Sequence, residues 1–455
     1  MNGEIKGWVE VEFATLKMKS TRLERRFKKV MSDMSEQPEK SIWLASGSRA
    51  NAKAAYRLLA NEKCEKESIL RAHREAVNKR NEENILLAVQ DTMSVNYGGH
   101  EKTENLGYNC EKKTLGINSH NCILLTPLGL PVGLVSQSIS TRTEKETEQT
   151  AHEKQMRRIE EKESYRWLET MKTASLNAPK EAKIIHIADR EGDIYELYAL
   201  AEQTGESFVI RVAHERIDTE KVHIIEDVKK SPIKAKVKGA VGANHKTKMK
   251  KREAEFSIRY KSFNVKKAKK LYREKDLPPF LKLNLISVKE ENAPEGIEPI
   301  EWLLMTNLAV DTVEDAVRAV DFYRQRWKIE RFHFVLKSGC EIEKIQQRSL
   351  HGIELVLLMY SIIAVHIMQL TYTARTAPDT PCDVIFSEDE WKTLYRAANL
   401  TRETPDEPYS IALAVRYVAK LGGFVGAKSD GEPGLKVIWI GLNKLFILNS
   451  YREFL

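Results

Sequence analysis

The chain has 455 residues, of which 42% are hydrophobic and 30% charged, the balance of an ordinary soluble globular protein with a sizeable core. At roughly 150 residues per domain this length accommodates two to four domains. A formal net charge of +8 and a pI of about 8.9 are compatible with an anionic partner, although the distribution of the charge decides more than its sum. Cys64, Cys110, Cys122, Cys340 and Cys382 are odd in number and form no C-x-x-C pair, which suggests neither a disulfide framework nor a zinc site and fits a reducing interior. The first residues, MNGEIKGWVEVEF, lack the apolar core of a signal peptide. The apolar run Leu355 to Val365 is well short of the ~20 residues of a membrane span, so a buried core helix and a cytoplasmic location are expected.

Residues 1–75 read as helical and basic. Arg22, Arg25, Arg26, Lys28 and Lys29 cluster, and Ser48 precedes Arg49, Lys53 and Arg57 as the cap of a helix. Ile85 to Val89 is a short apolar strand that delivers Asp91 at its end. Asn121 to Thr126 and Val132 to Gln137 flank Pro127-Leu128-Gly129-Leu130-Pro131, the turn chemistry of a hairpin. A charged helical stretch is expected over Glu144 to Lys172. Ile184 to Ala188 then forms a second buried strand, ending at Asp189, with a helix from Ile194 to Ala201 and a strand from Phe208 to Val212. From about 214 to 300 the helical period gives way to short alternating pieces, a β-rich insertion with basic runs at Lys246, Lys248, Lys250, Lys251 and Arg252 and at Lys266, Lys267, Lys269 and Lys270. Such runs are commonly solvated loops, yet on a DNA enzyme they would follow the phosphates. A strand at Trp302 to Thr306, one long helix over Val313 to Ser338 and an apolar helix over 353–372 complete a domain spanning 76–376. Prolines 378, 381, 405 and 408 mark the boundary to a helical region, 377–455.

Strand, hairpin, strand and helix, with an acid closing two buried strands, define an α/β mixed sheet flanked by helices, of the type a ribonuclease H-like nuclease requires. Magnesium takes oxygen ligands in an octahedral shell, so a few carboxylates converging from separate elements suffice to hold it beside a phosphodiester. On the 313–338 helix, Tyr323, Arg326, Glu330 and Lys337 are spaced by three, four and seven. At ~100° per residue they share one arc of about 60°. The stripe sets a carboxylate among two cations and a phenol, able to complete a metal site and hold phosphates, although taken alone it reads more readily as a solvent-facing stripe with an Arg326–Glu330 pair.

The stripe Y-x2-R-x3-E-x6-K over Tyr323 to Lys337 resembles the Y-R-E-K signature of bacterial cut-and-paste insertion-sequence transposases, the Tn-five-type enzymes of the IS-four family. Asp91-Thr92-Met93-Ser94 is similar to the family's first-aspartate motif and Asp189-Arg190-Glu191-Gly192-Asp193-Ile194-Tyr195 to its second. Ser41-Ile42 with Ala54-Ala55-Tyr56-Arg57, and Leu421-Gly422-Gly423-Phe424 with Trp439, resemble its end-binding and C-terminal regions. The resemblance implies a ribonuclease H-like core whose Asp91, Asp189 and Glu330 hold two Mg²⁺ or Mn²⁺ ions when DNA is bound. It implies nicking of transposon ends, a hairpin intermediate, joining of the 3′-hydroxyl to target DNA, and a homodimer assembled on two ends of double-stranded DNA. DNA contacts are implied at Tyr323, Arg326, Lys337, Arg190 and Arg211, at Trp302 and Trp327 as candidates to stack on an extruded base, and at Arg22, Arg25, Arg49, Lys53 and Arg57 for end recognition. His120 and His333 match family positions and suit supporting roles better than ligation of a hard ion. The run Lys19-Ser20-Thr21-Arg22 departs from the acidic residue that often precedes the first arginine in the family. The alternative readings are a non-catalytic DNA-binding regulator derived from a transposase and a host nuclease of the same fold.

Overall fold

The computed structural model describes residues 7–99, 102–109, 114–143, 150, 157–242, 252–268, 276–427 and 431–450. Cys110, Lys246, Lys248, Lys250, Lys251, Lys269, Lys270 and most of the charged stretch 144–156 lie outside them. Five helices come first: α1 Gly7–Glu12, α2 Thr21–Glu36, α3 Ile42–Ala45, α4 Arg49–Leu59 and α5 Lys66–Arg80. Ser20, Ser41 and Ser48 cap α2, α3 and α4, each hydroxyl accepting a backbone N–H at the third position. Residue 75 falls inside α5.

Among the described residues nine strands form one mixed sheet in the order β3-β2-β1-β4-β5-β9-β8-β7-β6. They are β1 Ile85–Asn96, β2 Gly116–Leu125, β3 Pro131–Ser140, β4 Lys183–Ala188, β5 Ser207–Arg211, β6 Ala235–Val241, β7 Arg252–Lys266, β8 Phe280–Glu291 and β9 Glu301–Thr306. The remaining helices are α6 Tyr165–Asn177, α7 Tyr195–Thr204, α8 Ile224–Lys230, α9 Val313–Arg324, α10 Trp327–Phe334, α11 Leu350–Thr376, α12 Glu388–Asn399, α13 Ile411–Leu421 and α14 Leu435–Ser450.

Strand alternation sorts the core into two layers. Leu87, Val89, Ile185 and Ile187 face a cluster shared with Ile329, Phe332 and the residues of α11. Leu86, Ala88 and Ile184 face the opposite side, over Ala174 of α6, and farther along that side Ala188 meets Trp167 and Leu168 of α6 and Leu197 and Ala201 of α7. The hairpin and strand order confirm the ribonuclease H-like arrangement. The β-rich insertion is no separate lobe: β9 pairs with both β5 and β8, so β8, β7 and β6 prolong the central sheet.

Four expectations need correction. Of the charged helix expected over Glu144 to Lys172, the described residues before Tyr165 hold only a 3-10 turn at Ile159–Glu161, and α6 begins at Tyr165. β1 runs to Asn96, so Asp91 lies within the strand and not at its end. The apolar helix is longer than expected, 27 residues from Leu350 to Thr376; it is long and apolar enough to cross a membrane, but most of it is buried against the sheet and the N-terminal helices, as a core helix is. The long helix over 313–338 is broken. α9 ends at Arg324, Gln325 and Arg326 form a tight turn with bonds to Phe322 and Tyr323, α10 follows, and Val335–Gly339 widens into a π-helical turn. The uniform 100° rotation therefore fails beyond Tyr323.

Candidate active site

β1 and β4 pair in parallel with Leu87 beside Ile185 and Val89 beside Ile187. Two residues further along the same face, Asp91 stands level with Asp189, on strands ~4.8 Å apart. Asp91 accepts the Thr92 N–H at Oδ1 (2.8 Å), and Asp189 caps the following turn by accepting the Glu191 N–H (2.8 Å). Burial, followed by the negative charge of Asp189 and more weakly of Glu191, pushes the Asp91 carboxyl up to about 7, against the bond from Thr92 and the charge of Arg326.

Arg326 joins this pair to the helix. Its Nη1 lies 3.7 Å from Asp91 Oδ2, and its Nη2 donates to Glu330. Burial opposes its charge, but Tyr323, Glu330 and Asp91 together outweigh burial and raise its pKa. Tyr323 is buried and its phenol lifted by that burial against the neighbouring charge of Arg326; it packs edge-on against Trp302 with centroids 5.3 Å apart. Tyr323, Arg326, Glu330, Asp91 and Asp189 are thus brought together. Among the described residues no three His, Cys, Asp or Glu side chains close into a metal-binding cluster; a guanidinium stands between Asp91 and Glu330 instead.

Lys337 lies apart. It pairs with Glu343 (3.4 Å), whose carboxylate also accepts the Asn96 N–H (3.0 Å) at the far end of β1. Arg211 donates to the Glu301 carbonyl (3.1 Å), Arg190 is exposed on the turn after Asp189, and Trp327 is 55% exposed, which rules out a core role for it. Arg22 and Arg25 on α2 are exposed, as are Arg49, Lys53 and Arg57, which at spacings of four form one stripe on α4.

Beneath the acids runs a buried polar ladder that the sequence hid inside an apolar-looking hairpin. The Thr92 hydroxyl meets His120 Nδ1 (2.8 Å), and His120 Nε2 donates to Gln90 (3.1 Å). Asn121 donates to His333 Nε2 (3.3 Å), and Gln137 bridges Asn121 (2.9 Å) to Ser361 of α11 (2.7 Å). Both imidazoles are held neutral: burial and then Arg166 lower His120, while burial, Lys337 and Arg326 bring His333 to about 3. His333 takes up Asn121 and so ties α10 to β2. Asp193 was also missed as a fixture: its Oδ2 accepts the N–H groups of Ala213 (2.6 Å) and His214 (3.0 Å), stitching the chain after β5 to the turn that carries Asp189.

A mixed sheet with acids level on its two central parallel strands and a third acid on a covering helix is the plan of a ribonuclease H-like polynucleotide enzyme. The chain belongs to the transposase DDE domain family, whose model matches residues 88–365. Residues 5–64 match the transposase DNA-binding model and 362–452 the transposase Tn5 dimerisation domain, as in an IS-four-like transposase. Among solved structures, the cryo-EM structure of the piggyBac transposase synaptic complex with hairpin DNA is similar over 82% of this chain and 73% of that chain, with 10% identity and a TM-score of 0.39. The chain is a DDE transposase, an enzyme of DNA strand cleavage and transfer, with DNA-binding and dimerisation segments. Enzymes of this family generally use divalent metal ions.

Proposed function

We propose that this chain is a cut-and-paste enzyme of a bacterial insertion sequence, with Asp91, Asp189 and Glu330 as its catalytic carboxylates. The observation that carries this reading is the register of β1 and β4, which sets Asp91 level with Asp189 while Arg326 ties Asp91 to Glu330. The residues fit a divalent metal centre: the donors are hard oxygens, burial and then repulsion from Asp189 lift Asp91, and a side-chain cation already lies between two of the acids. Two Mg²⁺ or Mn²⁺ ions, when bound, activate the attacking oxygen and stabilise the leaving one. Arg326 and the Tyr323 hydroxyl hold phosphate oxygens on either side of the cut, and Lys337 holds a phosphate further along the strand. Asn121 and His333 keep α10 on the sheet so that Glu330 faces the aspartates.

In the proposed course, water cuts one strand at the element's end. The freed 3′-hydroxyl attacks the opposite strand to form a hairpin, the hairpin opens, and the same hydroxyl joins target DNA. Trp302, half-buried on Tyr323, and the exposed Trp327 are the stacking candidates for an extruded base, whose few kcal/mol cost stacking partly offsets. Residues 1–75 bind the terminal inverted repeats through Arg22, Arg25, Arg49, Lys53 and Arg57; residues 76–376 carry catalysis with Arg190 and Arg211 along the DNA; residues 377–455 pair two copies in a synaptic homodimer, working on DNA inside the cell.

The test is incubation with Mg²⁺ and a DNA fragment bearing the element's own terminal repeats. End-specific hairpins and strand transfer are expected. Binding without nicking would identify a regulator instead, and cutting without end specificity a host nuclease.

A further inference from the structure

α10 has a second charged face. At ~100° per residue, Lys328 and Arg331 point away from Arg326, Glu330 and His333, towards the C-terminal end of α11. There the three cations Lys328, Arg331 and Arg375 converge on the buried Tyr372. Lys328 Nζ lies 3.4 Å from the centre of the Tyr372 ring and Arg375 Cζ 5.2 Å from it, while the Arg331 charge, beside the Tyr372 hydroxyl, favours its ionised form. The group is held in place from three sides. The Arg331 guanidinium rests 4.9 Å from the centre of the Phe334 ring, Arg375 donates to the Pro433 carbonyl (2.7 Å), and the β2–β3 turn presses on the Lys328 stem, where a Cβ at Gly129 would come within 3.1 Å of Cε. Lys328 and Arg331 are half-buried and Arg375 is exposed; among the described residues none of the three has a carboxylate within ion-pair reach, whereas Arg326, Arg166 and Lys337 near the site do.

Three like charges around one ring repel one another, and the ring's face offsets only part of that cost. What removes the cost is an anion with several acceptor oxygens, and two guanidiniums with an ammonium match a phosphodiester group, which arginine grips through paired N–H donors. We propose that Lys328, Arg331 and Arg375 form a second DNA-backbone site, on the face of α10 opposite the carboxylates, gripping phosphates outside the strand being cut. The exposed Trp327 lies between the two faces, so one duplex can pass from the acids to this cluster along the start of α10. The proposal rests on DNA as the partner, but not on the assignment of the carboxylates.

The experiment measures binding of full-length protein to a duplex carrying its terminal repeat, in EDTA, over a range of salt. Each phosphate contact contributes ~0.9 to the slope of log K against log salt. Arg331→Gln with Arg375→Gln should lower that slope by about 1.8, each single change by about half as much, and Arg331→Lys with Arg375→Lys should restore most of it. The same drop is expected in a Glu330→Gln background, so the result stands whether or not Glu330 ligates metal. An unchanged slope in a double variant that melts like the parent overturns the proposal. Inorganic phosphate that raises the melting temperature of the parent but not of the double variant, with the DNA slope unaltered, also overturns it and assigns the cluster to free phosphate.

Discussion

Asp91→Asn gives the most direct access to the electrostatics of the site. In the fold the Asp91 carboxyl titrates near 7, against an ordinary value of 3.8, because burial and the adjacent Asp189 disfavour its charge. At about 1.4 kcal/mol per pH unit the interval corresponds to about 4 kcal/mol. The fold binds this proton more tightly than the unfolded chain does. Its contribution to stability is therefore complete below about pH 3.8 and is lost as pH rises through about 7. Asparagine keeps the shape and never ionises, so it escapes the loss. Urea unfolding of metal-free parent and variant from pH 4 to 8.5 should give nearly equal stabilities at the acid end. The gap should widen to a few kcal/mol in favour of the variant by pH 7.5 and stay constant above that. Added Mg²⁺ should stabilise the parent at pH 8 and leave the variant almost unmoved, since an ion held by the carboxylates offsets their repulsion. A gap independent of pH would refute the claim that Asp91 is lifted by its neighbours.

Glu330→Gln should bind terminal-repeat DNA as the parent does and fail to nick it in Mg²⁺; normal nicking in a gel assay would remove Glu330 from the site. Lys337→Ala should slow cutting and lower the salt slope of DNA binding by ~0.9, one phosphate contact, and identical slopes would reject that contact. Gly129 has φ +84° and an added Cβ would meet Gln325 Oε1 at 2.1 Å, so Gly129→Ala should cost at least 1 to 2 kcal/mol, roughly the left-handed penalty alone, measured by thermal unfolding. Gly441→Ala should be more damaging still: its Cβ would fall 1.8 Å from the Val418 carbonyl oxygen, where α13 and α14 meet backbone to backbone. A loss of about 2 kcal/mol or more with weakened self-association is expected, and an unchanged dimer would separate this helix contact from pairing.

Much of the candidate site's placement was readable because it depends on short-range patterns. Ile85 to Val89 and Ile184 to Ala188 are apolar runs that stop at acids, and burial of such runs makes them central strands whichever helices cover them. Their pairing offset, Ile85 with Lys183, equals the separation of Asp91 from Asp189, but that equality becomes visible only once the two strands are known to be neighbours. The break at Gln325 and Arg326 was not readable. Neither residue opposes a helix, and no proline or glycine interrupts Val313 to Leu336. The turn is set from a distance, by the β2–β3 turn against Gln325 and by Asp91 against Arg326. Likewise the alternation in Ala254 to Tyr260 signalled strands, while their place in the central sheet depended on β9 pairing on both edges.

The broken helix and the arginine at its break belong together. A continuous helix would carry Arg326 and Glu330 at a fixed i, i+4 offset on a face shared with Tyr323, and the simplest outcome would be an exposed ion pair of small worth. With α9 ending early, Arg326 opens α10 and reaches Asp91 as well as Glu330, while Tyr323 stays buried behind it. The same guanidinium then lies between two acids, one of which, Asp91, stands beside Asp189. In the proposed reaction a phosphate arriving at the site would compete for it with those acids, and a divalent ion would compete with it for them. On the proposed assignment, displacement of Arg326 from carboxylate to phosphate would be favourable when both arrive, and the free enzyme's own ion pairs would act as a brake on metal binding without DNA. Metal titrations with and without terminal-repeat DNA measure that coupling: Arg326→Gln should bind Mn²⁺ more tightly than the parent when DNA is absent and lose the gain when it is present. Equal Mn²⁺ affinity of variant and parent in the absence of DNA would mean that Arg326 holds nothing back.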